Sequence, residues 1–246
     1  MIDLHCHALP GIDDGPADMQ ESIALARAAA RAGTRTLVAT PHIDHWWNVD
    51  PASLRHRVAD MGAVLRSEGI GIEVRTGGEI SLTRLAELED RELDALALGG
   101  GRHLLLEAPL APGGDDFEDL IVDVLARRPV LLAHPERCPA FLREPQRYER
   151  LLEAGALGQL TAGSFAGEFG ETIRETALRW LDRGWVHVVA SDAHHAKRRP
   201  PDLRGPLQRA GLSDELTAWL TRAVPAAIVD CAPMPERPAE ALTPRA

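Results

Sequence analysis

Ile2-Asp3-Leu4-His5-Cys6-His7 opens the chain. An apolar, β-branched start runs into two histidines at i and i+2. In an extended strand that spacing places both imidazoles on one face and Cys6 on the other. Alone, such a pair is a weak signal, since polar residues commonly end strands. Its recurrence decides the fold. Thr36–Thr40 runs into Pro41-His42, and Ile72–Thr76 into Gly77-Gly78-Glu79. Leu104–Glu107 ends on a carboxylate, Val130–Ala133 is followed by His134, and Val186–Ala190 by Ser191-Asp192-Ala193-His194. Leu157–Thr161 is a further run of the same kind. Several of these runs are continuously apolar, as strands covered on both faces must be.

Helical stretches with end signals separate the runs. Asp50-Pro51 supplies an N-cap and a first-turn proline for a helix over Ala52–Glu68, which Gly69 closes. Gly33 closes a helix from about Asp18 to Ala32, and Gly155 and Gly184 follow Gln146–Ala154 and Glu171–Arg183. Strands alternating with helices predict a single α/β domain with a parallel sheet over residues 1–231. Seven such units predict closure into a barrel, with an open sheet as the alternative. Residues 232–246 are rich in proline and poor in apolar side chains, and read as a loose tail.

The C-terminal ends of parallel strands share one rim. His5, His7, His42, Glu79, Glu107, His134, Asp192 and His194 therefore converge, although they are far apart in sequence. Burying so many carboxylates and imidazoles together without a cation is expensive, so the set reads as a metal centre. Nitrogen and oxygen donors without thiolate suit Mn, Fe, Co or Zn and argue against Mg alone. Eight or more donors exceed one ion's needs, which implies two or three ions sharing a carboxylate, a cluster that activates water near neutral pH. His56, His103 and His187 read as structural or exposed, His45 and His195 as neighbours of the ligands, and Cys6 as core.

With 246 residues, 45% of them hydrophobic, the chain has ample core, and with 4% aromatics that core is mostly aliphatic. The net charge of −10 disfavours nucleic acid. Three scattered cysteines form no disulfide framework and suit a reducing cytoplasm. No leader is read at Met1, and no apolar run is long enough for membrane insertion.

His5-Cys-His7, Thr40-Pro-His42, Gly78-Glu79, His134-Pro-Glu-Arg137 and Ser191-Asp-Ala-His194 together resemble the polymerase-and-histidinol-phosphatase (PHP) superfamily. Leu9-Pro-Gly-Ile-Asp-Asp-Gly15, Leu160-Thr-Ala-Gly-Ser-Phe-Ala-Gly-Glu-Phe-Gly170 and Arg199-Pro-Pro201 are similar to its bacterial tyrosine-protein phosphatases, which are encoded with capsule and exopolysaccharide genes. The resemblance runs in order from Met1 to about Cys231. It implies a distorted (β/α)7 PHP-type barrel, three metal ions (manganese first, with iron, cobalt or zinc as options), and hydrolysis of phosphotyrosine by a metal-activated hydroxide. It also implies a partition of ligands. One ion takes His5, His7, Glu79 and Asp192. A second shares Glu79 and adds Glu107 and His134. A third takes Asp14, His42 and His194. Arg137 and Arg199 match the family's phosphate-binding arginines, and a guanidinium fork suits phosphate oxygens on independent grounds. Arg198 is a rival for Arg199. The implied partner is the phosphotyrosine tail of a membrane-bound tyrosine kinase.

The chain departs from the family pattern after His42, where Ile43-Asp44-His45-Trp46-Trp47 stands in place of a second histidine and a Gly-x-Tyr stretch. Substrate preference is thus less constrained than metal chemistry. The alternatives are a histidinol-phosphatase-like enzyme for small phosphomonoesters and a catalytically silent metal-binding regulator. A thiol mechanism also has a formal motif, Cys231-x5-Arg237. Its loop lacks glycine, and Pro233 and Pro235 remove two of the N–H donors that a phosphate cradle needs.

Overall fold

The structure is a computed structural model that describes residues 1–111 and 117–239. Among the described residues nine parallel strands form: β1 (Ile2–Cys6), β2 (Thr36–Ala39), β3 (His42–Ile43), β4 (Glu73–Thr76), β5 (Glu79–Ser81), β6 (Leu104–Glu107), β7 (Val130–Ala133), β8 (Leu157–Thr161) and β9 (Val188–Ala190). They make two sheets, in the orders β1-β2-β4 and β3-β5-β6-β7-β8-β9. The predicted α/β architecture with parallel strands is what forms.

Two strands beyond the expected seven arise where the chain changes sheet. Pro41 has no N–H and sits between β2 and β3. Gly77 and Gly78 sit between β4 and β5, where a Cβ on Gly77 would lie 2.7 Å from Val38 and one on Gly78 would lie 2.5 Å from Leu96. Only glycine allows so close a passage. The consequence is local to the site. His42 and Glu79, expected just past strand ends, instead begin β3 and β5 and pair in register.

The far end of the second sheet returns to β1. Cys6 and Ala193 form a parallel bridge, Asp192 N donates to His5 O at 2.8 Å, and His7 N donates to Ala193 O at 2.9 Å. Leu4, Leu37, Val38, Leu104–Leu106, Val130–Leu132, Val188 and Val189 are fully buried. The aliphatic core carries one aromatic annexe of Phe141, Tyr148, Trp180 and Trp185.

The helices begin where their caps dictate. Asp18 accepts from Glu21 N ahead of Met19–Arg31, and Asp50 accepts from Ala52 N ahead of Pro51–Ser67. After Cys231, the described part of the expected tail is tied to the domain, beginning with Ala232 N, which donates to Ala227 O at 2.9 Å. Trp219 Nε1 donates to Pro235 O at 3.2 Å, and Arg237 Nη2 to Leu181 O at 2.6 Å. Residues 240–246 of that tail lie outside the described residues. Among the described residues, no helix is long and apolar enough to cross a membrane.

Candidate metal centre

The strand ends deliver donors to one buried cluster. His5 and His7 leave β1 on the same face. His5 Nε2 lies 3.3 Å from His7 Nε2, 3.3 Å from Glu79 Oε2 and 3.4 Å from Asp192 Oδ1. His7 Nε2 is 3.3 Å from Glu79 Oε2 and 3.6 Å from Asp192 Oδ1. His42 Nδ1 approaches the same Glu79 oxygen at 3.0 Å, and His134 Nε2 meets Glu79 Oε1 at 2.8 Å. Asp14, from the Gly11–Gly15 loop, lies 3.4 Å from His42 Nε2 and 3.2 Å from His194 Nε2. Among the described residues, four overlapping groups have one donor atom per residue within 4.8 Å of one another: His7, Asp14, His42 and His194; His5, Glu79 and His134; His5, His7 and Asp192; and His42, Glu79 and Glu107. All nine residues expected as ligands fall in these groups.

The electrostatics ask for cations. Burial raises carboxylate pKa values in general, yet the charge of His5 and contacts with His134 and His42 hold Glu79 well below its ordinary value. Asp192 is also lowered against its burial, by the charges of His5, His134 and Arg199. Asp14 is brought to about 2, since His194 outweighs its partial burial. Glu107 goes the other way, to about 7, because burial and the charge of Glu79 dominate. Three of the imidazoles, His5, His7 and His42, carry the balancing charge, whereas burial lowers His134 and His194. Against the effect of burial, His7 is raised to about 10 by Asp13 and Glu79, and His5 and His42 are raised by Glu79 above all. Protons on these rings stand where metal charge fits. Glu79 Oε2 has three imidazole nitrogens within 3.3 Å and still accepts no hydrogen bond. Three nitrogens gathered around one carboxylate oxygen are a donor set that could hold a cation.

The backbone contributes strain at two of the expected ligands. His134 (φ 34°) and Asp192 (φ 51°) both adopt the left-handed region, which costs a non-glycine residue about 1 kcal/mol or more. His134 opens the tight turn Pro135–Arg137, which aims Arg137 back at the cluster. Arg137 Nη1 and Arg199 Nη2 both donate to Asp192 Oδ2, at 2.7 and 2.5 Å. Asp192 thus divides its oxygens, one toward the imidazoles and one toward two guanidinium groups. Arg199 Nη1 also lies 3.4 Å from His194 Nε2. Its rival Arg198 is exposed, with its backbone N–H directed at His195 Nδ1.

Three residues with positioning roles were not singled out from the sequence. Asp13 is buried and lies 2.7 Å from His7 Nδ1, and it accepts from His42 N at 3.2 Å. Gln159 Oε1 lies 2.8 Å from His5 Nδ1. Asp3 accepts from Ser191 N and Oγ at 3.0 and 2.5 Å, tying β1 to the Asp192 segment, and burial lifts its carboxyl to about 6. Asp3 and Gln159 left a signal, a polar residue inside an otherwise buried strand. The remaining histidines lie outside the donor groups. His45 faces Glu87 at 3.7 Å, His56 is exposed, His195 Nδ1 accepts from Lys197 N, and His187 Nδ1 accepts from Gly158 N. Burial lowers His103 and His187 to about 4, which keeps both neutral. Cys6 is buried and turned to Ala193 O.

Residues 1–211 match the family model described as capsular polysaccharide synthesis, CpsB/CapC. The chain is 37% identical over 201 residues to the tyrosine-protein phosphatase YwqE of Bacillus subtilis (strain 168), covering 81% of this chain and 79% of that protein. It is 29% identical over 211 residues to the tyrosine-protein phosphatase CpsB of Streptococcus pneumoniae, covering 82% and 86%. A crystal structure from work on YwqE of Bacillus subtilis and CpsB of Streptococcus pneumoniae, there called unique metal-dependent tyrosine phosphatases, matches with a TM-score of 0.84 at 32% identity over the whole of both chains.

Proposed function

Because the chain belongs to the CpsB/CapC family of capsular polysaccharide synthesis, we propose that it is a metal-dependent protein-tyrosine phosphatase. The observation that carries the reading is the meeting of Arg137 and Arg199 on one oxygen of Asp192, whose other oxygen faces the imidazole cluster. Two guanidinium forks beside a nitrogen- and oxygen-lined metal site suit a phosphoryl group.

On this reading three ions would be held, one by His5, His7, Glu79 and Asp192, one by Glu79, Glu107 and His134, and one by Asp14, His42 and His194, with manganese preferred. The two sheets, with the bridge from Cys6 to Ala193, are read as one distorted seven-unit barrel. Bound metal supplies a nucleophile from water and a positive field for the phosphoryl oxygens. The chain's own residues do the rest. Arg137 and Arg199 take the outward phosphoryl oxygens and orient the ester in line for attack. Glu79 and Asp192 stay ionised throughout, since His5 and its neighbours keep both far below neutral. Asp13 and Gln159 fix the ring orientations of His7 and His5. The tyrosyl oxygen leaves as a phenolate of pKa about 10, so no side chain need act as a strong acid. Phosphate and free tyrosine side chain are the products.

The substrate we propose is a phosphotyrosine on the flexible tail of a membrane-bound tyrosine kinase, reached from the cytoplasm, within control of capsule or exopolysaccharide synthesis. The test is metal analysis of the purified protein together with kcat/KM for phosphotyrosine, phosphoserine and histidinol phosphate. Metal-dependent turnover led by phosphotyrosine is expected. A lead for histidinol phosphate assigns it to small phosphomonoesters, and no turnover with metals bound makes it a silent regulator.

A further inference from the structure

Phe169 sits at the end of the segment Leu160-Thr-Ala-Gly-Ser-Phe-Ala-Gly-Glu-Phe-Gly170, in a turn built for it. Gly167 (φ 80°) and Gly170 (φ 96°) take left-handed conformations on either side. Gly170 N donates to Gly167 O at 3.0 Å, and Glu168 N to Gly163 O at 3.0 Å. The turn holds the half-buried ring against Arg137, whose guanidinium carbon lies 4.6 Å from the ring centroid.

The same ring forms a wall of a cavity of about 220 Å³, lined also by Thr161, Ser191, Arg199, Pro200 and Pro206. This cavity lies on the catalytic rim. Thr161 is the last residue of β8, and Ser191 precedes the ligand Asp192. One arginine of the pair stands on Phe169 and the other lines the cavity beside it. A cavity of ~150 Å³ suffices for a benzene ring. Phe169, Pro200 and Pro206 give the cavity an apolar side and Arg199 a guanidinium edge, which together suit an aromatic guest, while the charged Glu168, Asp202 and Arg209 line the rest.

We propose that this cavity is the aryl subsite of the active centre, with Phe169 as its specificity-determining wall, and that it receives the phenyl ring of an aryl phosphate while the phosphoryl group lies on Arg137 and Arg199. The inference rests on the phosphatase reading above. It explains by geometry how a metal centre able to attack any phosphomonoester discriminates an aryl ester from an alkyl one. A phosphoserine has only a methylene to offer the cavity, and leaves Phe169 uncovered.

The experiment compares the metal-loaded parent with Phe169→Leu and Phe169→Tyr, using calorimetric binding of phenylphosphonate, methylphosphonate and inorganic phosphate. Metal content and thermal unfolding are measured alongside. The parent is expected to prefer phenylphosphonate over methylphosphonate by about tenfold, as an aromatic contact of this kind gives. Phe169→Leu should remove most of that preference, and Phe169→Tyr should retain it. The ratio of kcat/KM for phenyl phosphate to that for phosphoserine should fall in parallel. An equal loss for both phosphonates and for phosphate in Phe169→Leu would overturn the proposal, because the ring would then act only by supporting Arg137. An unchanged preference would overturn it as well. A parent that binds these anions but hydrolyses none of the esters would defeat the phosphatase reading instead, and leaves the binding comparison to decide the subsite.

Discussion

Asp13 Oδ2 lies 2.7 Å from His7 Nδ1, with both side chains buried, and the other face of the same imidazole looks at Glu79 and Asp192. A carboxylate on Nδ1 fixes the tautomer that leaves the Nε2 lone pair free, and makes that nitrogen a stronger donor to metal. Asp13→Ala is therefore expected to lower metal affinity by about 10- to 100-fold, with Asp13→Asn less affected because an amide oxygen still accepts. Competition against a chelator of known affinity measures this. Parent-like retention in Asp13→Ala would remove His7 from the ligand set.

Metal binding should release protons. His7 is raised to about 10 in the metal-free protein, so at neutral pH a metal must displace its proton. A raised histidine pKa stabilises the folded state fully below the ordinary value of about 6.5. That contribution is lost as pH climbs from there through about 10. The metal-free protein is thus expected to lose stability on the alkaline side, where the metal-loaded protein gains affinity, by about tenfold per pH unit for each proton displaced. Calorimetry in two buffers of different ionisation enthalpy counts the protons. A count of zero at pH 7.5 contradicts the charge arrangement described for the cluster.

The strand ends were legible because apolar runs closing on histidine or carboxylate repeat at intervals a parallel fold explains. The missing information concerned short-range geometry. Nothing in Thr40-Pro41 or Gly77-Gly78 says that the chain resumes as β3 and β5 in a different sheet. That depends on the packing of Val38, Leu96 and Ile43 around the two glycines. Asp13 and Asp14 are adjacent and chemically alike, yet one is buried against His7 and the other is 45% exposed between His42 and His194. Only the path of the loop separates their roles. The arginine pair was readable as residue types, whereas their meeting on one Asp192 oxygen depends on the left-handed turns at His134 and Asp192.

Thiol reagents should not stop the enzyme. Burial raises the thiols of Cys6 and Cys138, which disfavours their reactive thiolates. Cys231 is exposed, but Arg237, six residues on, donates to Leu181 O rather than to a phosphate loop. Cys231→Ser should match the parent in kcat/KM, and alkylation should leave turnover intact while a chelator abolishes it. Trapping of a phosphocysteine at Cys231 would replace the metal mechanism.

Arg137→Ala and Arg199→Ala should keep their metals and lose phosphate affinity. Charge-assisted contacts of this type are worth roughly 1.5–3 kcal/mol, or about 10- to 150-fold in binding. Inhibition by inorganic phosphate should weaken in step with the rise in KM. Each substitution also removes a donor from Asp192, so metal content must be measured with the kinetics. If both variants bind phosphate as the parent does, these arginines serve only to orient Asp192.

Peptide context should be read by the loop after His42. Trp46 is 90% exposed and Trp47 is 42% exposed. Asp44 Oδ1 accepts from both of their backbone N–H groups, at 2.8 and 3.0 Å, which fixes the turn that presents them. Between this loop and the one carrying Asp13 lies a cavity of about 330 Å³, lined by Ile12, Trp47, Val49, Asp50 and Arg57 among others. A peptide leaving the metal centre on this side would cover Trp46 and meet that cavity. Trp46→Ala is therefore expected to cut kcat/KM for a phosphotyrosine peptide by about tenfold, as burial of an aromatic side chain allows, and to leave free phosphotyrosine much less affected. With a net charge of −10, the chain should also favour basic over acidic flanking residues, most clearly at low salt. Equal losses on peptide and free phosphotyrosine would mean that the tryptophans only shape the loop around His42. Faster turnover of acidic peptides at low salt would show that a local positive surface, rather than the overall charge, governs approach.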